Sequence, residues 1–109
     1  MGDKYVAKVV IKNGTDRPRI VVVEPWGEDF TLLPGEQLDI VVWDIASQPW
    51  FNIYEHADFT AAWVEEQAIE PDQARGHETH SFGYNVWQNG VLLECGHQRQ
   101  AALDAGVTF

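Results

Sequence analysis

The sequence predicts an all-β protein: an antiparallel β-sandwich or small barrel of about seven strands, followed by a short C-terminal helical segment. Two observations carry this prediction. The stretch from 20 to 43, IVVVEPWGEDFTLLPGEQLDIVVW, holds two β-branched runs separated by turn residues. Further on, Asn89-Gly90 separates two more apolar runs. β-Branched side chains favour the pleated sheet, so each run is predicted to be a strand.

The first six strands are delimited by turn residues. Pro25 ends the second strand because it has no backbone N–H. Pro34-Gly35 fits the central positions of a type II turn, with the glycine taking positive φ. Both faces of the fifth and sixth strands are apolar, which predicts that these strands are central or covered on both sides. The predicted strands span residues 5–12, 19–24, 29–33, 38–42, 50–55 and 59–64.

The late hairpin is the strongest local signal in the chain. Asn89-Gly90 is typical of a two-residue type I′ turn. A hairpin closed there pairs Gln88 with Val91 and, further from the turn, Tyr84 with Cys95 and Phe82 with His97. One face is then predicted to be core, and the other to be exposed or only partly covered. The core face carries Phe82, Tyr84, Val86, Val91, Leu93 and Cys95, and the exposed face carries Gly83, Asn85, Trp87, Leu92 and Glu94.

Two segments lack strand alternation. Residues 65–80, EEQAIEPDQARGHETH, form a polar connection, for which we expect a surface loop. Residues 98–105 are compatible with one or two helical turns, ending at Gly106.

Composition limits the classes of function. The chain has 109 residues, which predicts a single domain, and 7 Lys and Arg against 17 Asp and Glu give a formal charge of −10. Such a surface repels phosphates and anionic lipid, so nucleic-acid and membrane-surface roles are disfavoured. Cys95 is the only cysteine, and neither a signal peptide nor a membrane span is evident. We therefore expect a cytoplasmic protein.

The segments Glu24-Pro25-Trp26-Gly27 and Leu33-Pro34-Gly35-Glu36 carry a resemblance. With the region from 12 to 42 around them, they resemble a group of small bacterial single-domain β-sandwich proteins. The late hairpin, residues 84–96, resembles the same group more loosely. The resemblance implies the sandwich fold and no particular activity, cofactor or substrate.

Exposed aromatic residues are the candidate binding residues. Glu24, Trp26 and Glu28 place carboxylates beside an indole, a combination that binds sugars or cations. The alternative for Trp26 is a packing corner, which the sequence favours because an aromatic corner buries a large area at once. Trp87 lies on the exposed face of the hairpin. The candidate ligand-binding residues are thus Glu24, Trp26 and Trp87, with Trp50 or Trp63 as further contact residues.

A metal site is the first alternative. The predicted hairpin register places His80, Cys95 and His97 on one face, where they would offer ligands for zinc or copper. However, the spacing is loose, and Cys95 beside Leu93 is expected to be a small core side chain. We expect no metal and no other cofactor.

An enzyme with its site in the mouth of the sandwich is the second alternative. The chain lacks a Gly-x-Ser-x-Gly, phosphate-loop or His-Glu-x-x-His motif, so the sequence disfavours catalysis. The sequence favours a non-enzymatic binding or interaction module for an unknown protein or small ligand. It leaves the oligomeric state open.

Overall fold

The computed structural model describes residues 5–44, 49–66 and 82–107. These residues form eight strands and one short helix, α1 (Arg99–Asp104). The strands are β1 (Tyr5–Lys12), β2 (Arg19–Glu24), β3 (Glu28–Leu32), β4 (Gln37–Asp44), β5 (Pro49–Glu55), β6 (Phe59–Glu66), β7 (Phe82–Gln88) and β8 (Val91–Leu92).

The strands form two four-stranded sheets. The first sheet has the order β1-β4-β7-β8 and the second the order β3-β2-β6-β5. All pairs are antiparallel except β2 and β6, which run parallel. Neither sheet closes into a barrel within the described part of the chain. The predicted all-β sandwich with a short C-terminal helix is confirmed, and the barrel alternative is not supported.

The core lies between the two sheets. Side chains at alternate positions of β2, Val21 and Val23, meet those of β4, Ile40 and Val42, in one buried cluster. Alternation along a strand sends every second side chain to the same face, which is why each strand contributes in this way. The remaining buried members of the cluster are Ile11, Phe30, Leu32, Leu38, Ala62, Val64 and Val86.

Two predicted turns are confirmed. Asn89 and Gly90 have φ angles of 52° and 80°, so both central positions of the late hairpin have the positive φ of a type I′ turn. Gly35 has a φ of 84°, and the N–H of Glu36 donates to the carbonyl of Leu33 at 3.0 Å, as a type II turn requires.

The hairpin register is correct near the turn and wrong beyond it. Trp87 pairs with Leu92, and the Leu93 N–H still donates to Val86. The chain then leaves β7 and runs along the edge of β3. There the Gly96 N–H donates to the carbonyl of Asp29 at 2.7 Å. The predicted pairs Tyr84–Cys95 and Phe82–His97 therefore do not form, because β3 offers an unpaired edge that competes with β7.

The predicted core face of this hairpin is consequently only partly core. Val86 is buried, and Tyr84 and Leu93 are half-buried against the core. In contrast, Val91 and Cys95 are exposed, so their assignment to the core was wrong. The prediction that Trp87 and Leu92 are exposed is confirmed.

Strand β5 also differs from its prediction. It is an edge strand of the second sheet, whereas β6 lies between β2 and β5. Its apolar side chains Trp50, Ile53 and Tyr54 are therefore exposed. The expectation that both strands are central or covered on both faces is wrong for β5.

The C-terminal helix covers part of the outer face of the second sheet. Ala102 and Val107 form a small buried cluster with Ile20 and Val22 of β2. The helix ends before Gly106, which has a φ of 74° as the sequence predicts. This cover explains why all four residues from Ile20 to Val23 are buried.

Most of the predicted polar connection, residues 67–80, lies outside the described residues. Glu65 and Glu66, at its predicted start, belong to β6 instead. Within the described ranges, no helix is long and apolar enough to cross a membrane.

Candidate binding surface

Three exposed aromatic side chains lie together on the outer face of the second sheet. Trp50, Tyr54 and Trp63 are 44%, 50% and 38% exposed, and we call them the aromatic face. Asn52 lies directly opposite Trp63 in the β5–β6 ladder, with Trp50 and Tyr54 two residues to either side of it. Diagonal neighbours in such a ladder lie roughly 7–8 Å apart, within reach of aromatic rings. The helix covers the β2 side of this sheet and leaves these rings uncovered by the described residues.

Carboxylates flank the aromatic face. Glu24 is the register partner of Trp63 in the parallel β2–β6 ladder, so its side chain starts from the same face. Glu65 lies opposite Trp50 and accepts a hydrogen bond from the Asn52 amide. The face thus combines aromatic rings with negative charge, the chemistry that binds cations.

Trp87 belongs to a different surface. It lies on the outer face of the first sheet, where it pairs with Asp39 on one side and Leu92 on the other. It is 37% exposed, and its neighbour Leu92 is 51% exposed. Trp87 and the aromatic face are therefore on opposite outer surfaces of the sandwich.

Trp26 closes one end of the sandwich. It is half-buried against the main core and stacks on Tyr84, with ring centroids 4.5 Å apart and an interplanar angle of 26°. This arrangement is the packing corner that the sequence offered as the alternative for Trp26. The structure thus places Glu24, Trp26 and Trp87 at three separate locations, and it brings Glu24 next to Trp63.

A small open cleft lies next to this corner. Its volume is about 150 Å³, and Glu28, Tyr84 and Cys95 are among the residues that line it. The Tyr84 hydroxyl donates to the Glu28 carboxylate, so these two titratable groups satisfy each other. Binding pockets for small molecules usually have volumes of ~300–1,000 Å³, so this cleft gives little support to the enzyme alternative.

Cys95 lies beside an ion pair that the sequence did not indicate. Its Sγ is 3.7 Å from Oδ1 of Asp29 and 3.9 Å from Nη2 of Arg99. Arg99 donates two hydrogen bonds to Asp29, at 2.9 and 2.6 Å. These bonds lower the pKa of Asp29 below its usual value despite the opposing effect of burial. In turn, the hydrogen bonds to Asp29 raise the pKa of Arg99.

The hairpin register that would bring the predicted metal ligands together does not extend to Cys95 and His97. His80 lies outside the described residues, and Cys95 and His97 follow β3 rather than β7. No group of three metal-ligating side chains occurs among residues 5–44, 49–66 and 82–107. His97 lies near Glu36. Burial raises the pKa of Glu36, but hydrogen bonds from Leu33 and Gln98, together with the charge of His97, bring this pKa below its usual value.

The sequence contained a partial signal for the aromatic face. Strict alternation along PWFNIYE places Trp50, Asn52 and Tyr54 on one face of β5. In β6, the same alternation places Trp63 on the face opposite to that of Val64. What the sequence could not supply was the position of β5 at the sheet edge, which determines the exposure. Neither the pairing of Glu24 with Trp63 nor the Asp29–Arg99 ion pair has a local signal, since each joins distant parts of the chain.

The fold and its surface define an all-β two-sheet sandwich with an aromatic outer face. Comparison with family models, with curated proteins and with solved structures finds no match to this chain. The resemblance to small bacterial β-sandwich proteins, based on residues 24–27 and 33–36, therefore stays a prediction.

Proposed function

We propose that the protein is a non-enzymatic binding module that binds a basic polypeptide segment through its aromatic face. The observation that carries this proposal is the exposure of Trp50, Tyr54 and Trp63 on one sheet face. Aromatic side chains are enriched at protein interfaces and dominate their binding energy. Exposed apolar surface of this kind usually marks an interaction site.

The negative charge of the protein supports a basic partner. Glu24 and Glu65 flank the rings, and the whole chain carries a formal charge of −10. An arginine side chain stacks on tryptophan while its guanidinium pairs with a carboxylate, so one residue type satisfies both features. Long-range attraction to an acidic protein also accelerates encounter with a basic segment.

Fluorescence anisotropy with a dye-labelled peptide of alternating arginine and serine tests the proposal. An extended peptide of this pattern presents all its arginines on one side. A peptide of the same pattern with glutamate in place of arginine is the matched control. We expect the arginine peptide to bind and the glutamate peptide not to bind.

Two alanine variants separate this surface from general charge attraction. Trp63→Ala removes a ring of the aromatic face, and we expect it to weaken binding about tenfold or more. Trp87→Ala removes an equally exposed ring on the other sheet and should leave binding unchanged. Equal binding by the original protein and both variants would show that the interaction depends on net charge alone, and would contradict the proposal.

We also propose a cytoplasmic location, from the single cysteine, and a function without nucleic-acid partners, from the charge of −10. The metal alternative gains no support from the positions of Cys95 and His97 described above.

A further inference from the structure

The two sheet edges on one side of the sandwich are protected unequally. β1 and β5 are the terminal strands of their sheets, and they contact each other across the sandwich. β1 carries two lysines, Lys8 and Lys12, and its pairing register shifts between Tyr5 and Ala7. Lysines and such irregularities commonly protect an edge strand against pairing with another chain. After Pro49, β5 runs WFNIYE with no lysine and no bulge. Among the described residues, nothing pairs with its outer edge.

The backbone groups on the free edge of β5 can be assigned from the hairpin that follows it. The His56 N–H donates to the Phe59 carbonyl at 2.8 Å, which makes this pair a hydrogen-bonded one. Hydrogen-bonded and non-hydrogen-bonded pairs alternate along an antiparallel ladder. Asn52 therefore directs its N–H and C=O toward β6, whereas Phe51 and Ile53 direct theirs toward the free edge.

We propose that the free edge of β5 pairs with the same edge of a second copy of this chain, antiparallel and with the two-fold axis at Asn52. In this register Phe51 exchanges hydrogen bonds with Ile53 of the second copy, and Ile53 with Phe51. Trp50 then lies opposite Tyr54 of the second copy on the outer face. The two Asn52 residues face each other as a non-hydrogen-bonded pair.

The side chains of β5 are self-complementary in this register. The outer face gains aromatic cross-strand pairs and the inner face gains pairs of Phe51 with Ile53, both favourable combinations in sheets. No like charges oppose each other, because Glu55 meets Pro49 and its carboxylate is already bound by Arg19 at 2.8 Å. The contact is isologous, so it closes as a dimer.

This inference does not rest on the proposed partner, although Trp50 and Tyr54 belong to both the aromatic face and the edge contact. Trp63 is on β6 and takes no part in the edge contact, and the pairing places the two aromatic faces side by side. The two complexes also respond oppositely to salt. Two copies with a formal charge of −10 each repel, so added NaCl tightens the dimer, whereas it weakens a complex with a basic peptide.

Sedimentation equilibrium of the full chain tests whether the dimer forms. Because one strand pair is a small interface, protein concentrations up to about 1 mM are needed. We expect a reversible monomer–dimer equilibrium that shifts toward dimer as NaCl is raised. A monomer at every concentration and salt level would overturn the inference.

Ile53→Pro tests the edge itself. This substitution removes an N–H that points to the free edge and leaves the β5–β6 hydrogen bonds in place, and we expect it to weaken the dimer about tenfold or more. Val10→Thr, at an exposed position of the β1 edge strand, keeps the net charge and is the control, which should leave the dimer unchanged. Circular dichroism verifies that each variant is folded. Undiminished dimerisation of folded Ile53→Pro protein would contradict the edge pairing.

Disulfide crosslinking tests the register without depending on the proline variant. In a Cys95→Ser background, Asn52→Cys places two thiols across the axis, with Cα atoms about 4.5 Å apart, a distance that a disulfide spans. We expect a covalent dimer that reducing agent dissolves. Tyr54→Cys in the same background is the control, because Tyr54 faces Trp50 of the second copy. Crosslinking by Tyr54→Cys but not Asn52→Cys would overturn the register.

Discussion

The carboxylate of Asp29 is buried in β3 and bound by two hydrogen bonds from Arg99, the first residue of the C-terminal helix. Asp29 has 8% side-chain exposure and Arg99 has 54%. The pair connects the helix to the strand edge along which residues 96–98 run. It therefore fixes the place where the chain crosses from the first sheet to the second.

This pair predicts a specific pH dependence of stability. The hydrogen bonds from Arg99 lower the pKa of Asp29 from its ordinary value of 3.8. A carboxyl group with a lower pKa in the folded state contributes stability above its unfolded pKa, and this contribution is lost as pH falls through the folded value. We expect Arg99→Gln to lower the melting temperature at neutral pH, with a difference from the original protein that shrinks below about pH 4.

Thermal melts of both proteins across the acidic range measure this difference. Lys8→Gln is the control, because Lys8 pairs with Asp39 at 3.8 Å on the surface and such pairs contribute little. A difference between Arg99→Gln and the original protein that stays constant down to the lowest pH would show that Arg99 acts through packing alone.

The parts of the fold that the sequence predicts are those with local causes. Asn89-Gly90 and Pro34-Gly35 determine their turns through the φ angles of two adjacent residues, so a short window is sufficient. The course of the chain at Cys95 depends instead on competition between β7 and the edge of β3, which are far apart in sequence. The pattern of the hairpin alone could not reveal that competition.

In the candidate site, too, the features with local causes are predictable from the sequence and those with long-range causes are not. Alternation placed Trp50 and Tyr54 on one face, but exposure depends on strand order, which no local pattern encodes. Trp26 next to Pro25 was a plausible binding residue from sequence, yet its stacking on Tyr84 requires β7 to lie beside the corner. Long-range contacts therefore decide which aromatic rings are available to a partner.

The type I′ turn predicts the effect of Gly90→Val. Gly90 has a φ of 80°, and a Cβ added there meets no atom within 4 Å, so any cost is conformational rather than steric contact with other residues. A β-branched residue resists positive φ, and we expect a loss of about 1 kcal/mol or more in the free energy of unfolding. Gly14→Val is the control, because Gly14 also has open space but no positive φ. Equal effects of the two substitutions in urea titrations would contradict this explanation.

Asn13 joins two turns through its buried side chain. Its amide nitrogen donates to the carbonyls of Arg17 and Leu32 at 2.7 and 3.0 Å, and its amide oxygen accepts from Thr15. Removing the amide leaves the buried carbonyl of Leu32 without this donor, so we expect Asn13→Ala to cost about 1–3 kcal/mol in the free energy of unfolding. Urea titration measures the loss. The exposed Asp16 lies in the same turn, and Asp16→Ala should change stability much less.

Net charge predicts that added salt stabilises the fold. The formal charge of −10 opposes compaction, and 0.1 M salt screens it with a Debye length of about 10 Å. We expect the melting temperature to rise from low to moderate NaCl. Measurement at low protein concentration separates this effect from dimerisation. A flat or falling series would indicate that local ion pairs already compensate the acidic side chains.

The last prediction concerns metal at Cys95. We expect no stoichiometric transition metal in protein purified without chelators or an affinity tag. The Arg99 guanidinium lies 3.9 Å from the Cys95 Sγ and is bound to Asp29, so a positive charge already occupies the space beside both the thiol and this carboxylate. A metal ion bound there would have to displace this cation against charge repulsion. Elemental analysis of the original protein and of Cys95→Ser decides the question. Zinc or copper near one equivalent that disappears in Cys95→Ser would contradict the prediction and support the metal site of His80, Cys95 and His97.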